Sequence, residues 1–228
     1  MNNKELQKEI GYQFNKESYL NEALTHRSYL NEHPEWKVPH NERLEFLGDA
    51  VLELVITEEL FNRYPDQEEG WMTSVRAALV NYQMLADVAR SLEIDGCVLL
   101  SRGEAKDTGR AREVILANAL ESLIGAIYQD GGYVPAKKFI NNAVTRRLED
   151  VIRNALHVDA KSQLQEKVQA TLKVTPTYKV LSSEGPDHKK QFKIGVYFGD
   201  KLIAEGSGPS KQDGEVEAAR KALETLGK

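Results

Sequence analysis

The sequence predicts an all-α domain followed by a smaller α+β domain with the element order α-β-β-β-α. Three observations carry that reading: apolar residues at helical spacing through residues 1–152 with almost no alternation, three alternating stretches after residue 160, and opposite net charges in the two parts. A chain of 228 residues suits one medium and one small domain. The overall charge of −5 argues mildly against a nucleic-acid partner, but the average hides an asymmetry. From Ala160 onward there are 12 Lys and Arg against 9 Asp and Glu, a net of +3, and the remaining 18 against 26 give residues 1–159 a net of −8. A polyanion is expected to dock on the C-terminal part, while the N-terminal part needs cations to meet phosphates.

The N-terminal stretch "MNNKELQKEIGYQF" lacks the apolar centre of a secretory signal, and no apolar run approaches the roughly 18 residues of a membrane span. With Cys97 as the single cysteine, no internal disulfide forms, and the expectation is a cytoplasmic protein with no membrane partner. "LTHRSYL" reads as a short early helix in which His26 has a hydrogen-bonded structural role. Segments 41–64, 74–91, 112–129 and 134–153 follow with helical spacing. Gly131-Gly132 after Asp130 reads as a turn between helices, and without a glycine-rich phosphate cradle no nucleotide cofactor is expected. This places the first domain at residues 1–152 and a linker at 153–159, "RNALHVD". The second domain, 160–228, opens on the amphipathic "KSQLQEKVQATL". Strands "TYKVLSS", "KQFKIGVYF" and "KLIAEGSG" come next, with turns at Gly185-Pro186-Asp187 and Gly199-Asp200, and a helix over Lys211–Leu226 closes the unit.

Within "NERLEFLGDAVLELV", residues 41–55, successive side chains turn by about 100°. With Glu42 at zero, Leu44, Leu47, Val51, Leu54 and Val55 gather between about 120° and 220°, the expected core stripe. Glu45 and Asp49 fall within about 60° of Glu42. A solvated acidic face is one reading of those three carboxylates. Phe46, Leu52, Ile56 and Leu60 lie on or beside the same face, however, and large apolar side chains there mean that it meets another helix or another subunit.

The stretch "EVILANALESLIGAIY", residues 113–128, repeats the oddity, because only Asn118, Glu121 and Ser122 interrupt its apolar run. Such a helix belongs at the centre of the domain, where a lone carboxylate has a raised pKa or costs several kcal/mol. One resolution is a buried ion pair with Arg43 or Arg76. The other is convergence of Glu45, Asp49, Asn118 and Glu121 on a hard divalent cation, magnesium in preference to zinc or copper because no His/Cys cluster competes.

"ERLEFLGDA", residues 42–50, resembles the nine-residue box of the ribonuclease III family. "EEGWMTSVRAALV" and "ILANALESLIGAIYQDGG" resemble that family's next two blocks in the same order. "KSQLQEKVQ", "PTYKVLSSEGPDHKKQF" and "GSGPSKQDGEVEAARKALETL" resemble a double-stranded RNA-binding domain. The resemblance implies a ribonuclease III fold and a homodimeric, magnesium-dependent endonuclease, with manganese as a substitute ion. It would cut double-stranded RNA to 5′-phosphate and 3′-hydroxyl ends with short 3′ overhangs, in ribosomal and messenger RNA processing. It further implies that Glu45, Asp49, Asn118 and Glu121 form the catalytic and metal-binding set. Glu42 and Glu69 would lie near the subunit junction and the RNA, with Phe46 packing across that junction. Hydrolysis of a phosphodiester suits such a set, since a bound magnesium ion activates water and offsets charge on the phosphate.

Two positions depart from the family pattern. Asn118 stands where Asp is usual, so metal affinity is expected to fall. At the start of the last helix, Lys211-Gln212 replaces a usual lysine pair, and Gly214 is expected to weaken the first turn by roughly 1 kcal/mol relative to Ala. The remaining RNA contacts implied are Gln165 and Glu166 on the first helix of the domain and Pro186, Asp187 and His188 in a minor-groove loop. Two other readings stay open: a non-catalytic RNA-binding dimer, and a metal-dependent hydrolase of small phosphate esters.

Overall fold

In a computed structural model the chain divides into two compact units, Met1–His157 and Val158–Lys228. The structure describes residues 2–156, 159–186 and 190–226. The first unit is helical: α1 (Asn3–Glu9), α2 (Glu17–Ala23), α3 (Arg27–Glu32), α4 (Glu42–Arg63), α5 (Glu69–Val80), α6 (Tyr82–Ser91), α7 (Arg110–Gly131), α8 (Tyr133–Ala143) and α9 (Leu148–Arg153). Single 3-10 turns occupy Ile94–Gly96, Glu104–Lys106 and Thr145–Arg147.

Two stretches that read as continuous helix are divided. The 74–91 segment belongs to α5 and α6, which part at Asn81, where the backbone is extended and the side chain accepts the Met84 N–H at 2.9 Å. An Asn side chain competes with the helix ladder in this way and starts a new helix instead of continuing the old one. The 134–153 segment likewise breaks after Ala143 into α8, a 3-10 turn and α9.

α7 is the centre of the unit, with Leu116, Ala119, Leu120, Leu123, Ile124, Ala126 and Ile127 all buried. α4 crosses it so closely that a Cβ built on Gly48 would stand 1.8 Å from the Glu121 carbonyl oxygen, and one built on Gly125 2.1 Å from that of Leu44. Any side chain larger than hydrogen at either position would force the backbones apart. Pairing Leu44 with Gly125 and Gly48 with Glu121 also means that the two helices run antiparallel. Because α7 lies on the acidic side of α4, the buried arc of α4 takes in Leu52, Ile56 and Leu60 as well as Leu44, Val51 and Val55. Leu54, expected in the core stripe, is instead 51% exposed at the far edge of that arc.

The second unit comprises α10 (Ala160–Leu172), β1 (Thr177–Glu184), β2 (Gln191–Phe198), β3 (Lys201–Gly208) and α11 (Lys211–Leu226). Asp159 caps α10 by accepting the Lys161 N–H at 3.1 Å and the Ser162 hydroxyl at 2.6 Å. The antiparallel sheet has the order β1-β2-β3, and a small core joins Ala160, Leu164 and Val168 of α10 to Val196 of β2 and to Ala218, Ala219 and Ala222 of α11. Gly214 has a packing role: a Cβ there would come within 2.6 Å of Ile194 Cγ1, and one on Gly206 within 2.2 Å of the Ala218 nitrogen. The glycine that looks like a weak point in α11 is what lets that helix settle on the sheet. Among the described residues no helix is long and apolar enough to cross a membrane.

Candidate active site

Glu45 and Asp49 stand one turn apart on α4, and Asn118 and Glu121 stand three residues apart on α7. The Gly48–Gly125 crossing sets the backbone of Glu121 against α4 between its two acidic side chains. The proximity appears in their electrostatics. Glu121 is largely buried, and its carboxyl is pushed up to about 8, first by burial and then by the charges of Asp49 and Glu45. Burial also raises Glu45, with Glu42 and Asp49 adding to the effect, while a hydrogen bond with the Asn118 side chain works in the opposite direction. Glu45 and Asp49 of α4 thus act on Glu121 across the helix crossing, and Asn118 of α7 acts on Glu45.

Among the described residues no buried ion pair accounts for Glu121. Arg76 donates to the Thr57 hydroxyl at 2.9 Å, Arg43 is exposed and acts on Glu22, and neither pairs with Glu121. A freely solvated acidic face is equally excluded for Glu45, although Glu42 and Asp49 are exposed. What remains is a partly buried set of three carboxylates and one amide oxygen, without His or Cys. That donor chemistry fits a hard, oxygen-binding divalent cation. Among the described residues no three His, Cys, Asp or Glu side chains are gathered closely enough to hold a metal ion by themselves.

Residues outside the expected set hold the crossing in place. Ser122 Oγ lies 2.7 Å from the Asn118 carbonyl oxygen and 3.2 Å from that of Asn41. Asn41, buried at the start of α4, donates its side-chain amide to Ala23 O at 3.3 Å and its backbone N–H to Thr25 O at 3.0 Å. Asn41, Ser122, Gly48 and Gly125 were not anticipated as positioning residues. The available signal was a glycine on the buried arc of each of two helices with a polar residue beside it, a pattern that favours close helix approach.

The outer groups are placed differently. Glu42 is exposed, with Arg27 Nη1 at 3.5 Å and His40 Nδ1 at 3.8 Å. Phe46 is 83% exposed and begins a strip of uncovered apolar side chains on α4 that continues through Leu54 and Phe61. Glu69 is not brought to the four central groups; it opens α5 beside a hollow of about 240 Å³ lined by Thr57, Phe61, Met72 and Arg76. His26 caps α3, its Nδ1 accepting the Ser28 N–H at 3.3 Å, in keeping with a structural role. Gln165, Glu166, Pro186, Lys211 and Gln212 are all exposed on the second unit; Asp187 and His188 lie outside the described residues.

Known proteins share this architecture. The family model described as Ribonuclease-III-like matches residues 16–148, and that of the Double-stranded RNA binding motif matches residues 160–226. Ribonuclease 3 of Symbiobacterium thermophilum is 45% identical over 94% of this chain and 90% of its own length. Ribonuclease 3 of Carboxydothermus hydrogenoformans is 45% identical over 97% and 94% respectively. Among solved structures, a nuclease domain of ribonuclease III from Campylobacter jejuni, described for structural flexibility in a region involved in dimer formation, is 39% identical. It covers 62% of this chain and 98% of its own, with a TM-score of 0.56.

Proposed function

From the chain's membership of the ribonuclease III family, which makes it an endoribonuclease for double-stranded RNA, we infer a homodimeric enzyme that depends on magnesium, with manganese as a substitute. It leaves 5′-phosphate and 3′-hydroxyl ends with short 3′ overhangs and works in the cytoplasm on ribosomal and messenger RNA precursors. The observation that supports the metal dependence is the raised state of Glu45 and Glu121 at the α4–α7 crossing, caused by burial and by neighbouring carboxylates, Asp49 among them in both cases. Such a set is destabilised by its own charge, and a divalent cation relieves that repulsion.

Glu45, Asp49 and Glu121, with the amide oxygen of Asn118, would hold the ion. A bound magnesium supplies Lewis acidity toward the phosphate and makes water a better nucleophile near neutral pH. The chain's own contribution is to hold a proton on the Glu121 carboxyl at pH 7 in the metal-free site and to release it when the cation binds. Asn118 adds no charge, and its side chain tempers the shift of Glu45, so we infer a working site of modestly reduced metal affinity.

The uncovered strip of Phe46, Leu54 and Phe61 supports a second copy of the chain as the occupant of that face. The Campylobacter jejuni nuclease domain, which has a dimer-forming region, supports the same arrangement. Glu42 and Glu69 flank this strip and stand near the RNA in the assembled dimer. In the second unit, Gln165, Glu166, Lys211 and Gln212 on exposed helix surfaces, together with the loop of Pro186, Asp187 and His188, would bind a duplex by shape with little sequence preference.

Incubating the full chain with a long RNA duplex, with and without magnesium, tests this reading, with Glu121→Ala as the control. Magnesium-dependent fragments with 5′-phosphates and short 3′ overhangs, absent with the variant, are the expected result. Binding without cleavage at saturating magnesium would sink it in favour of a non-catalytic RNA-binding dimer.

A further inference from the structure

The polar residues buried among the described residues are Gln7, Thr25, Asn41, Ser122 and Thr145, and three of them belong to one chain of hydrogen bonds that ends at the candidate active site. Thr25, between α2 and α3, has no exposed surface and uses every polar atom it has. Its Oγ1 donates to Asn21 O at 2.6 Å and accepts from Trp36 Nε1 at 3.2 Å, its N–H donates to Glu22 O at 3.1 Å, and its carbonyl accepts from Asn41 N at 3.0 Å. Asn41 O in turn accepts from Glu45 N at 2.9 Å and lies 3.2 Å from Ser122 Oγ, which stands 2.7 Å from the carbonyl oxygen of Asn118. The chain thus runs from an indole in the α3–α4 connection, through Thr25 and Asn41, to the backbone of two of the four central groups.

Asn41 stands at the N-terminal end of α4, where an Asn side chain ordinarily accepts from a free helix N–H and stabilises the helix. It makes no such bond. Its side-chain amide goes to Ala23 O at 3.3 Å instead, so the first turn of α4, which carries Glu42 and Glu45, is fixed from the α2–α3 connection. Trp36 closes the arrangement from the other side. Its ring meets Tyr29 edge-on at 5.8 Å, and its N–H on Thr25 holds the connection that leads into Asn41. A buried polar group is unfavourable unless it is bonded, so a chain satisfied at each member favours one arrangement. Gly48 and Gly125 set how close α4 and α7 come, and this chain sets where the start of α4 is placed along α7.

We propose that Thr25 and Trp36 are positioning residues of the metal site: through the Thr25 hydroxyl and Asn41 they hold Glu45 at the place from which it shares an ion with Asn118 and Glu121. Both act through Asn41 and not by contact with the ion. The role rests on the metal-binding reading above, and extends it to a connection outside the acidic set.

The test is manganese binding by the full chain without RNA, read from the paramagnetic resonance signal of the free ion, together with cleavage rates over a range of magnesium concentrations. Thr25→Val keeps the side-chain shape and removes the hydroxyl, leaving Asn21 O and Trp36 Nε1 without that partner. It should weaken manganese by about 3- to 10-fold, less than the roughly 10- to 100-fold typical of groups bonded directly to ligands, and raise the magnesium needed for half-maximal cleavage by the same factor. Cleavage at saturating magnesium should stay within about 2-fold of the wild type. Thr25→Ser restores the hydroxyl and should return both affinities to the wild-type values. Trp36→Phe keeps an aromatic ring, removes the N–H and should weaken manganese by about 2-fold. A purely structural role lowers the Tm of Thr25→Val without moving its ion affinity, and that result, or a Thr25→Ser variant as weak as Thr25→Val, would overturn the proposal. If Thr25→Val does not fold, an unaltered ion affinity in Trp36→Phe overturns it equally. A wild type that binds no manganese overturns the metal-binding reading itself, and this role with it.

Discussion

The α4–α7 crossing and the seat of α11 on the sheet use the same device for different ends. In both, paired glycines, Gly48 with Gly125 and Gly206 with Gly214, remove the Cβ atoms that would keep two elements apart. At the crossing, close approach gathers Glu45, Asp49, Asn118 and Glu121 into a partly buried set in which burial and neighbouring carboxylates raise Glu45 and Glu121. In the RNA-binding unit it buries apolar side chains, Ile194, Val196, Ala218, Ala219 and Ala222 among them, and Gln165, Glu166, Pro186, Lys211 and Gln212, expected to meet RNA, remain exposed. The contrast separates two physical tasks. Capturing a small cation, the task proposed for the crossing, needs charges brought together out of water, where each acts strongly on its neighbours. Tracking a polyanionic duplex needs side chains spread over an exposed surface.

The sharpest way to break the comparison is at Glu121. Glu121→Gln should reduce duplex cleavage by about 10²-fold or more, measured as kcat with saturating magnesium. The same variant should stabilise the metal-free protein at high pH. A carboxyl with a raised folded-state pKa binds more protons folded than unfolded, so its contribution to stability is lost as pH rises from the ordinary carboxylate range of about 4.5 through about 8. With chelator present, the wild-type Tm should fall across that window, and Glu121→Gln should flatten the fall, by a difference of roughly 4 kcal/mol at pH 8. An unchanged pH profile would show that Glu121 lacks the burdened environment described.

Next in size is the glycine pair. Gly48→Ala drives a methyl group into the Glu121 carbonyl and should cost about 3 kcal/mol, with loss of both nuclease-unit stability and cleavage. Gly206→Ala meets the Ala218 nitrogen and should destabilise by a similar amount, but the loss should fall on the C-terminal unit. Cleavage at high substrate concentration should persist while KM rises. Thermal unfolding read together with steady-state kinetics distinguishes the two, and equal loss of kcat in both variants would erase the distinction.

Smaller effects should come from the two departures from the family pattern. Asn118→Asp adds a fourth carboxylate and should tighten magnesium by about 10-fold in a titration of cleavage rate, because affinity for a hard cation grows with ligand charge. Gln212→Lys should strengthen duplex binding by a few-fold and steepen its salt dependence by about one counterion. No steepening would mean that the start of α11 does not face phosphates.

Much of this contrast was legible in the residues themselves. Helical spacing identified α4 and α7, alternation identified the three strands, and the misplaced polar residues of "NERLEFLGDAVLELV" and "EVILANALESLIGAIY" named all four central groups. The residue pattern also required something to cover the acidic side of α4, and α7 does so. Other features were not legible. A helical wheel gives the angle of Leu54 but not which angles face a neighbour, so the core stripe came out shifted toward it. The break at Asn81 depended on one side chain competing with the helix ladder. Gly214 read as a weak first turn because its value lies in contact with Ile194, 20 residues earlier in the chain.

The sequence alone determined the order of elements, the division into an acidic and a basic part, and the positions of the polar groups that interrupt α4 and α7, because periodicity and residue type are properties of the chain. Only the tertiary structure decided that Glu45 and Glu121, 76 residues apart, share one electrostatic environment and that the Glu121 carboxyl keeps its proton near neutrality. Those depend on how closely α4 and α7 approach, and that distance is set by two missing methyl groups on separate helices, a condition visible only once the helices are packed.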